Sequence, residues 1–255
     1  MLEKIVEIST DGLYLCVDRG FLEISKDKEI VKRIPLADIS TLLFSNFGQT
    51  VTTNLLNRLL ENGTMAIFCQ NGYMPFTFLW PYSPSRLHHK KIHQQMELSL
   101  PFKKNVWKQV ISQKIFNQGK VLAHYLGDDD GLMTFSLNVK SGDSEGHEAQ
   151  SAKRYWKKLF GENFLRSDQD NPINSFLNYG YAIIRSSVAR AICSSGLYPS
   201  LGVGHDNSEN AFCLVDDFIE PYRPVVDQIV YRLYFELEEE VLNTDTKKIL
   251  ISALN

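Results

Sequence analysis

Cysteine is scarce: Cys16, Cys69, Cys193 and Cys213 are the only four in 255 residues. No two form a Cys-x-x-Cys pair, which argues against a zinc ribbon or a thioredoxin-like site. Each lies among apolar neighbours, as in "AIFCQ" and "AICSS", so all four are expected to be buried thiols behaving as small hydrophobes. No apolar run reaches the ~18–20 residues of a membrane span. The start, "MLEKIVEIST", lacks the apolar core of a signal peptide. A cytoplasmic protein without membrane attachment is expected. Neither a G-x-G-x-x-G turn nor a P-loop is present, which removes the common nucleotide-binding βαβ folds. There is no internal repeat and no low-complexity tail.

Net positive charge is lacking too. The formal charge is −3, with 27 basic and 30 acidic residues, which alone argues mildly against a nucleic-acid partner. The average conceals segregation. From Arg86 to Lys120 the bases Arg86, Lys90, Lys91, Lys103, Lys104, Lys108, Lys114 and Lys120 face one acid, Glu97. A second basic cluster is "KRYWKK", Lys153 to Lys158. The acids gather in "GDDDG" at 127–131, between Asp206 and Glu220, and in "ELEEE" at 236–240. Separate blocks of this kind allow a basic binding face beside an acidic pocket, although charge runs are also common on solvated helix faces.

What is present divides into two halves. "KIVEIS", "LYLCVD", "FLEIS", "EIVKRIP" and "DISTLLF" are short runs rich in branched and aromatic residues, as strands are. In "TVTTNLLNRLLENG", Val51, Leu55, Leu56, Leu59 and Leu60 recur at helical spacing and Gly63 is placed to end the helix. "TMAIFC" and "MPFTFLW" return to strand. Two prolines and two serines in "WPYSPSR" mark a boundary near 82–86. Beyond it the pattern is helical. "FKKNVWKQVISQKIFNQGKVLAHYL" keeps Val106, Val110, Ile111, Ile115 and Leu122 on one stripe. Helices are expected over 144–160, over "NPINSFLNYGYAIIRSSVARAICSSGL" as a closely packed central element, and over "FIEPYRPVVDQIVYRLYFELEEEVL", broken or kinked near Pro221 and Pro224. The end, "TKKILISALN", still reads as apolar helix, so the sequence is expected to stop before its natural terminus. The expected fold is α+β: a β-sheet-rich domain with one helix over 1–83, a linker over 84–100, and a larger all-α domain over 101–255.

Three pieces of the helical half carry candidate chemistry. Glu148 shares a helix face with Ala152, Tyr155 and Leu159, since residues three or four apart are neighbours; an acid on an apolar face is costly to bury unpaired, so it lies either at the domain edge or beside a cation. Glu145 is its rival on a more exposed side. An acid near a helix start also serves the positive end of the helix dipole. His205 follows Gly202 and Gly204, where glycine lets the backbone pass close to a neighbour. Asp217 with Glu220 (i, i+3), or Asp216 with Glu220 (i, i+4), can converge on one point. A mixed nitrogen–oxygen set of this kind favours Mg2+ or Mn2+ over zinc.

"FLNYGYAIIRSSVARAICSSGLYPSLGVGH", followed by "LVDDFIEPYRPVVD", resembles the CRISPR-associated adaptation integrase family, the universal spacer-acquisition proteins. The family pattern is an asparagine–tyrosine helix, then "GL-P-LG--H", then an acidic helix start ending "E-(F/Y)RP"; the match is close from Phe176 to Asp227. The chain is most similar to the branch associated with type II systems. The resemblance implies a two-domain β-then-α fold and a metal-dependent endonuclease and integrase of antiviral CRISPR adaptation. Such proteins join the 3′-OH ends of captured spacer DNA to a repeat. It implies Glu148, His205 and Glu220 as catalytic metal ligands, with Asp217 able to assist. Glu148 follows from the family's "EG-AA--Y" pattern counted back from Tyr155; the glycine of that pattern is Ala149 here, and an "EG" occurs earlier at Glu145-Gly146. Lys103, Lys104, Lys108, Lys153 and Arg154 are expected to contact the DNA backbone. The resemblance further implies double-stranded DNA as partner, a homodimer formed through the β domain, and a smaller adaptation protein bridging two dimers, with other type II proteins as further partners. Two other readings compete: a generic metal-dependent nuclease, and a non-catalytic DNA-binding scaffold.

Overall fold

A computed structural model describes residues 4–69, 75–79, 86–195 and 197–254. The chain divides into two compact units, Met1–Pro84 and Ser85–Leu254. The first carries the strands and the second is helical, an α+β arrangement. Most of the "WPYSPSR" segment, where the boundary was expected, lies outside the described residues.

In the first unit, strands β1 (Lys4–Ile8), β5 (Ile39–Phe44), β7 (Met65–Cys69) and β8 (Pro75–Leu79) form one sheet in the order β1-β5-β7-β8. β1, β5 and β7 run parallel, and β8 is antiparallel to β7. β5 is buried at every position, and its sequence "ISTLLF" accordingly shows a continuous run rather than alternation. The second sheet orders β4 (Glu29–Pro35), β3 (Phe21–Lys26), β2 (Leu13–Asp18) and β6 (Thr50–Val51). Its hairpins turn on Arg19-Gly20 and Asp27-Lys28, all four at positive φ, the geometry that matches strand twist in two-residue loops. Helix α1 (Thr53–Glu61) begins on the Thr52 side chain, which accepts from Leu55 N–H. One core unites Leu15, Leu22, Leu42, Phe44, Leu55 and Leu59 from both sheets and α1. Val51, expected on the helix, instead pairs with Leu15 in β6; its β-branched side chain suits either setting, and the Thr52 cap decides.

The second unit holds α2 (Arg86–Met96), α3 (Leu100–Leu126), α4 (Leu132–Ser136), α5 (His147–Phe160), α6 (Pro172–Ser194), α7 (Cys213–Ile219), α8 (Arg223–Tyr231) and α9 (Thr244–Ala253). Among the described residues of the expected linker, 86–100 are therefore part of the helical unit. Within them α2 is anchored to its own unit: buried Gln95 donates to the carbonyls of Tyr198 and Leu201, both at 2.9 Å, and accepts from Tyr198 N–H. The stretch looked like a linker because its bases hide a single anchoring glutamine. α3 starts on a Ser99 cap and ends at Gly127; it packs against α4, α5, α7 and α8. The helix expected over 144–160 begins later, at His147, after a turn at Ser141–Asp143. The α-helix is interrupted near Pro221 and Pro224, as expected, though the chain keeps a helical course through them. Glu220–Tyr222 tightens into a 3-10 turn between α7 and α8, and Glu220, Tyr222 and Arg223 all keep right-handed helical dihedrals. A proline costs least in the first turn of a helix, where both fall.

Of the cysteines, Cys213 is buried but Cys16 is only half-buried; β2 lies beside the short β6, which covers only Tyr14 and Leu15. The side chains of Cys69 and Cys193 lie outside the described residues. Among the described residues no helix is long and apolar enough to cross a membrane.

Candidate functional site

The site is assembled by three segments of the helical unit, with α3 as its floor. Along α3, Trp107, Lys114 and Gln118 fall on one stripe, because steps of seven and four residues return to the same face. Lys114 lies between Ile111 and Ile115, both fully buried, and is itself 8% exposed. Its ammonium meets Glu148 Oε1 at 2.6 Å and Glu220 Oε2 at 2.5 Å.

Glu148 reaches this point because Asp143 sets the start of α5. Asp143 accepts from His147 N–H at 2.8 Å and Glu148 N–H at 3.0 Å, satisfying donors left open by the first helical turn. Glu145 stays largely exposed, 3.8 Å from the His147 ring. Thus the lysine draws Glu148 and not Glu145.

Glu220 is brought in by the 3-10 turn, which α3 holds from below: Asn117 donates to the Pro221 carbonyl at 2.8 Å. Glu220 is 4% exposed. Its Oε1 accepts from Arg223 Nε at 2.8 Å, while among the described residues Oε2 has no hydrogen-bond donor in good geometry and is met by the Lys114 ammonium at ion-pair distance. Burial pushes the carboxyl up, but Lys114 and Arg223 outweigh it and hold Glu220 below the usual carboxylate range. It is an ionised, buried acid.

His205 is placed by Asp217. That carboxylate is fully buried and accepts from Val203, Gly204 and His205 N–H groups at 2.5, 3.0 and 2.8 Å, and faces His205 Nδ1 at 2.7 Å. Burial raises the Asp217 pKa, yet the ring and the three backbone donors hold it down. The same hydrogen bond lifts His205 above its ordinary value against a smaller effect of burial. A carboxylate on Nδ1 fixes the tautomer and leaves Nε2 free of that bond, the arrangement that commonly supports a metal-bound histidine. The loop passes so close to α3 that a Cβ on Gly204 would enter the Trp107 ring, and one on Gly202 would meet the His205 carbonyl. The Trp107 ring lies edge-on to the imidazole at 5.4 Å. Asp217 is spent on this loop, so it serves as a positioning residue. Asp216 faces away, bound by Arg185 of α6 at 2.6 and 2.9 Å. Of the two carboxylate pairings open in the sequence, neither forms; Glu220 is paired with Glu148 through Lys114.

Beside the acid pair lies a cleft of about 240 Å³ lined by Lys114, Arg166, Arg223, Trp156, Glu220 and Asp227, among others. Asn174 and Asn178 hold the Arg166 guanidinium at 3.1 and 2.6 Å, which gives the asparagine of the "NYG" segment a role. Asp227 closes the back of the cleft under two hydroxyls, from Tyr155 at 2.9 Å and from Tyr181. Lys114, Arg166, Arg223 and Asp227 had been assigned no part in the site from sequence. The one signal for Lys114 was a lysine interrupting the apolar stripe "VISQKIF".

The basic clusters differ in how far their charge is spent. Arg154 and Lys158 pair with Asp130, at 3.0 and 3.6 Å, and Lys157 with Glu162 at 2.9 Å. The "GDDDG" block therefore folds onto the "KRYWKK" block and neutralises part of it. Lys103, Lys104, Lys108 and Lys153 make no ion pair among the described residues, and Lys104 and Lys153 are exposed.

Whether a divalent ion suits these residues is a question of donors. Among the described residues no three histidine, cysteine or acidic side chains stand together as a ready metal cluster. Two carboxylates nevertheless converge on one cation, and one of their oxygens has no hydrogen-bond donor among the described residues, whereas His205, fixed through its Nδ1, does not complete a cluster with them. This donor chemistry fits Mg2+ or Mn2+.

The sequence profile of the family described as CRISPR associated protein Cas1 matches residues 6–252. A CRISPR-associated endonuclease Cas1 of Neisseria meningitidis serogroup C is 39% identical over 204 residues, covering 79% of this chain and 66% of the relative's length. A casposase bound to integration product shares the fold with a TM-score of 0.80 and 21% identity, covering 98% of this chain and 81% of that one. A Cas6-RT-Cas1–Cas2 complex contains a chain of the same fold, with a TM-score of 0.80 and 18% identity over 99% of this chain and 32% of that one. With its profile matched across both units, the chain belongs to the CRISPR associated protein Cas1 family.

Proposed function

We propose that the protein is a metal-dependent DNA integrase of CRISPR adaptation, acting in the cytoplasm and also able to cleave DNA. The observation that carries this reading is the convergence of Glu148 and Glu220 on a single cation beside a cleft lined by Lys114, Arg166 and Arg223. In the reaction, the 3′-oxygen of a captured fragment forms a new bond to phosphorus at the edge of a repeat. The older phosphorus–oxygen bond breaks, and the departing 3′-oxygen takes up a proton. The DNA supplies the nucleophile, so the protein's task is alignment and charge. A bound Mg2+ or Mn2+ ion supplies Lewis acidity at the scissile phosphate. Glu148, Glu220 and His205 Nε2 would hold it, Asp217 fixes the imidazole, and Arg223 fixes Glu220. Lys103, Lys104, Lys108 and Lys153 position the DNA backbone without reading its sequence; Arg154 contributes less, because Asp130 already occupies it.

The assembly follows the same reading: a homodimer through the first unit, with two dimers bridged by a smaller partner of the kind named in the Cas1–Cas2 neighbour. Membership of the type II branch rests on the motif resemblance from Phe176 to Asp227 and is tested by co-purification with the other adaptation proteins of such a system. The central test is strand joining with fragments ending in 3′-dideoxynucleotides. Integration stops with them; a plain nuclease would cut regardless. If E148A, H205A and E220A leave joining and cleavage intact, the protein is a binding scaffold and the proposal is wrong.

A further inference from the structure

Lys114 is a costly residue to keep where it is. It interrupts an apolar stripe, its neighbours Ile111 and Ile115 are fully buried, and its side chain is largely withdrawn from water. A buried ammonium persists only when opposite charge answers it. Here two carboxylates do so, Glu148 at 2.6 Å and Glu220 at 2.5 Å. Arg223 already serves Glu220 Oε1, whereas Glu220 Oε2 finds no other donor among the described residues. What the lysine alone provides is the approach of two like charges toward one point.

That point is where an ion shared by the two acids would sit. Carboxylate oxygens bind Mg2+ at about 2.0–2.1 Å, so an ion bridging Glu148 and Glu220 needs the space that the ammonium fills. An ammonium and a divalent ion at that range repel strongly in a buried setting. The cleft offers the lysine another position, since Lys114 lines it together with Arg166, Arg223 and Trp156. We propose that Lys114 is a resident counter-cation, which holds the Glu148–Glu220 pair in receiving geometry when no divalent ion is bound and must vacate that seat for the ion to enter. The proposal rests on the reading of these two acids as metal ligands and adds a competitor built into the chain.

Binding of Mn2+ alone, followed by titration calorimetry on the full chain, tests it. K114M is expected to bind Mn2+ at least tenfold more tightly than the unaltered protein. It is also expected to melt at a lower temperature in chelator and to recover on adding Mn2+. E148Q and E220Q serve as controls and should weaken Mn2+ binding. If they do so while K114M binds Mn2+ no better than the unaltered protein, the counter-cation role is overturned and the metal site stands. If Mn2+ binding is absent, or is unchanged in E148Q and E220Q, both ideas fall. A measurement on the unaltered protein decides the matter should K114M not fold. Brief acetylation with acetic anhydride, read by peptide mass spectrometry, is expected to label Lys114 several-fold faster with Mn2+ than with chelator. Equal or slower labelling overturns the proposal.

Discussion

Glu220 and Asp227 stand about two helical turns apart on the same run of chain, and both are removed from solvent, at 4% and 1% exposure. Burial pushes both acids up. At Glu220 two full positive charges, Lys114 and Arg223, reverse the effect and hold the group below the ordinary range. At Asp227 the nearest donors are the neutral hydroxyls of Tyr181 and Tyr155, with Arg223 and Arg166 further off, and burial wins: the group rises to about 7. The difference teaches that concealment does not by itself make an acid a ligand or a structural post. What decides is whether its charge is answered by charge or by dipoles. Glu220 is kept ionised beside Lys114 and Arg223, while Asp227 is about half-protonated at neutral pH and braces Tyr155 and Tyr181, whose own hydroxyls burial raises well above the ordinary value.

The comparison breaks most visibly if the two acids prove interchangeable. E220Q is expected to lower strand joining roughly 10²–10³-fold, the several kcal/mol that metal-held charge supplies in a transition state. E148Q should match it and E145Q should not, in a gel assay of joined product. A loss in E145Q equal to that in E148Q would move the site outward by one turn.

D217N comes next. Asp217 touches the imidazole but no substrate, so the expected effect is that of a missing supporting bond, about 10–100-fold in Mn2+ affinity. A smaller stability loss should accompany it, from three backbone donors that share a weaker acceptor. An unchanged Mn2+ affinity would leave His205 without a positioning partner.

D227N sharpens the contrast from the other side. The folded pKa of Asp227, about 7, lies above its ordinary 3.8, so between those values the folded state keeps a proton that the unfolded chain releases. Stability is therefore greatest at the acid end and falls as pH rises from about 4 to about 7, at about 1.4 kcal/mol per unit where the difference is complete. Urea denaturation at a series of pH values should show this slope in the unaltered protein and a flatter one in D227N. Joining should fall far less than in E220Q.

The smallest effects concern the surface cations, where spent and unspent charge are contrasted again. K104E/K108E is expected to weaken DNA binding and to reduce the salt dependence, by about 0.9 in log–log slope for each phosphate no longer neutralised. R154A should change neither, because its guanidinium is already bound to Asp130. Equal effects would mean that the internal pairing does not decide which bases meet DNA.

The sequence made some of this legible and hid the rest for definable reasons. Strands such as "LYLCVD" and "EIVKRIP" are dense in branched residues and close on tight turns, so their type is written locally. The helix containing Leu55 and Leu59 was visible from leucines at helical spacing, and its start was placed two residues early. The pattern of the resembling family, counted back from Tyr155, pointed to Glu148 rather than Glu145, and Glu148 is the acid that meets Lys114. The pairing of Asp216 could not be chosen, since steps of three and four both return to one face; Arg185, on another helix, settles it. Lys114 was hardest. In sequence it is one base among eight, and the acids that explain it are 34 residues away in one case and far more distant in the other. Burial, which makes it unusual, is a property of the assembled unit.

One ammonium ties together residues 114, 148 and 220, drawn from the first, second and last thirds of the helical unit. On the proposed function, a partly synthesised chain that lacks Glu220 would carry the lysines of α3 without the full set of residues that acts on DNA. Such a chain would gain its chemistry only once most of the helical unit had been translated.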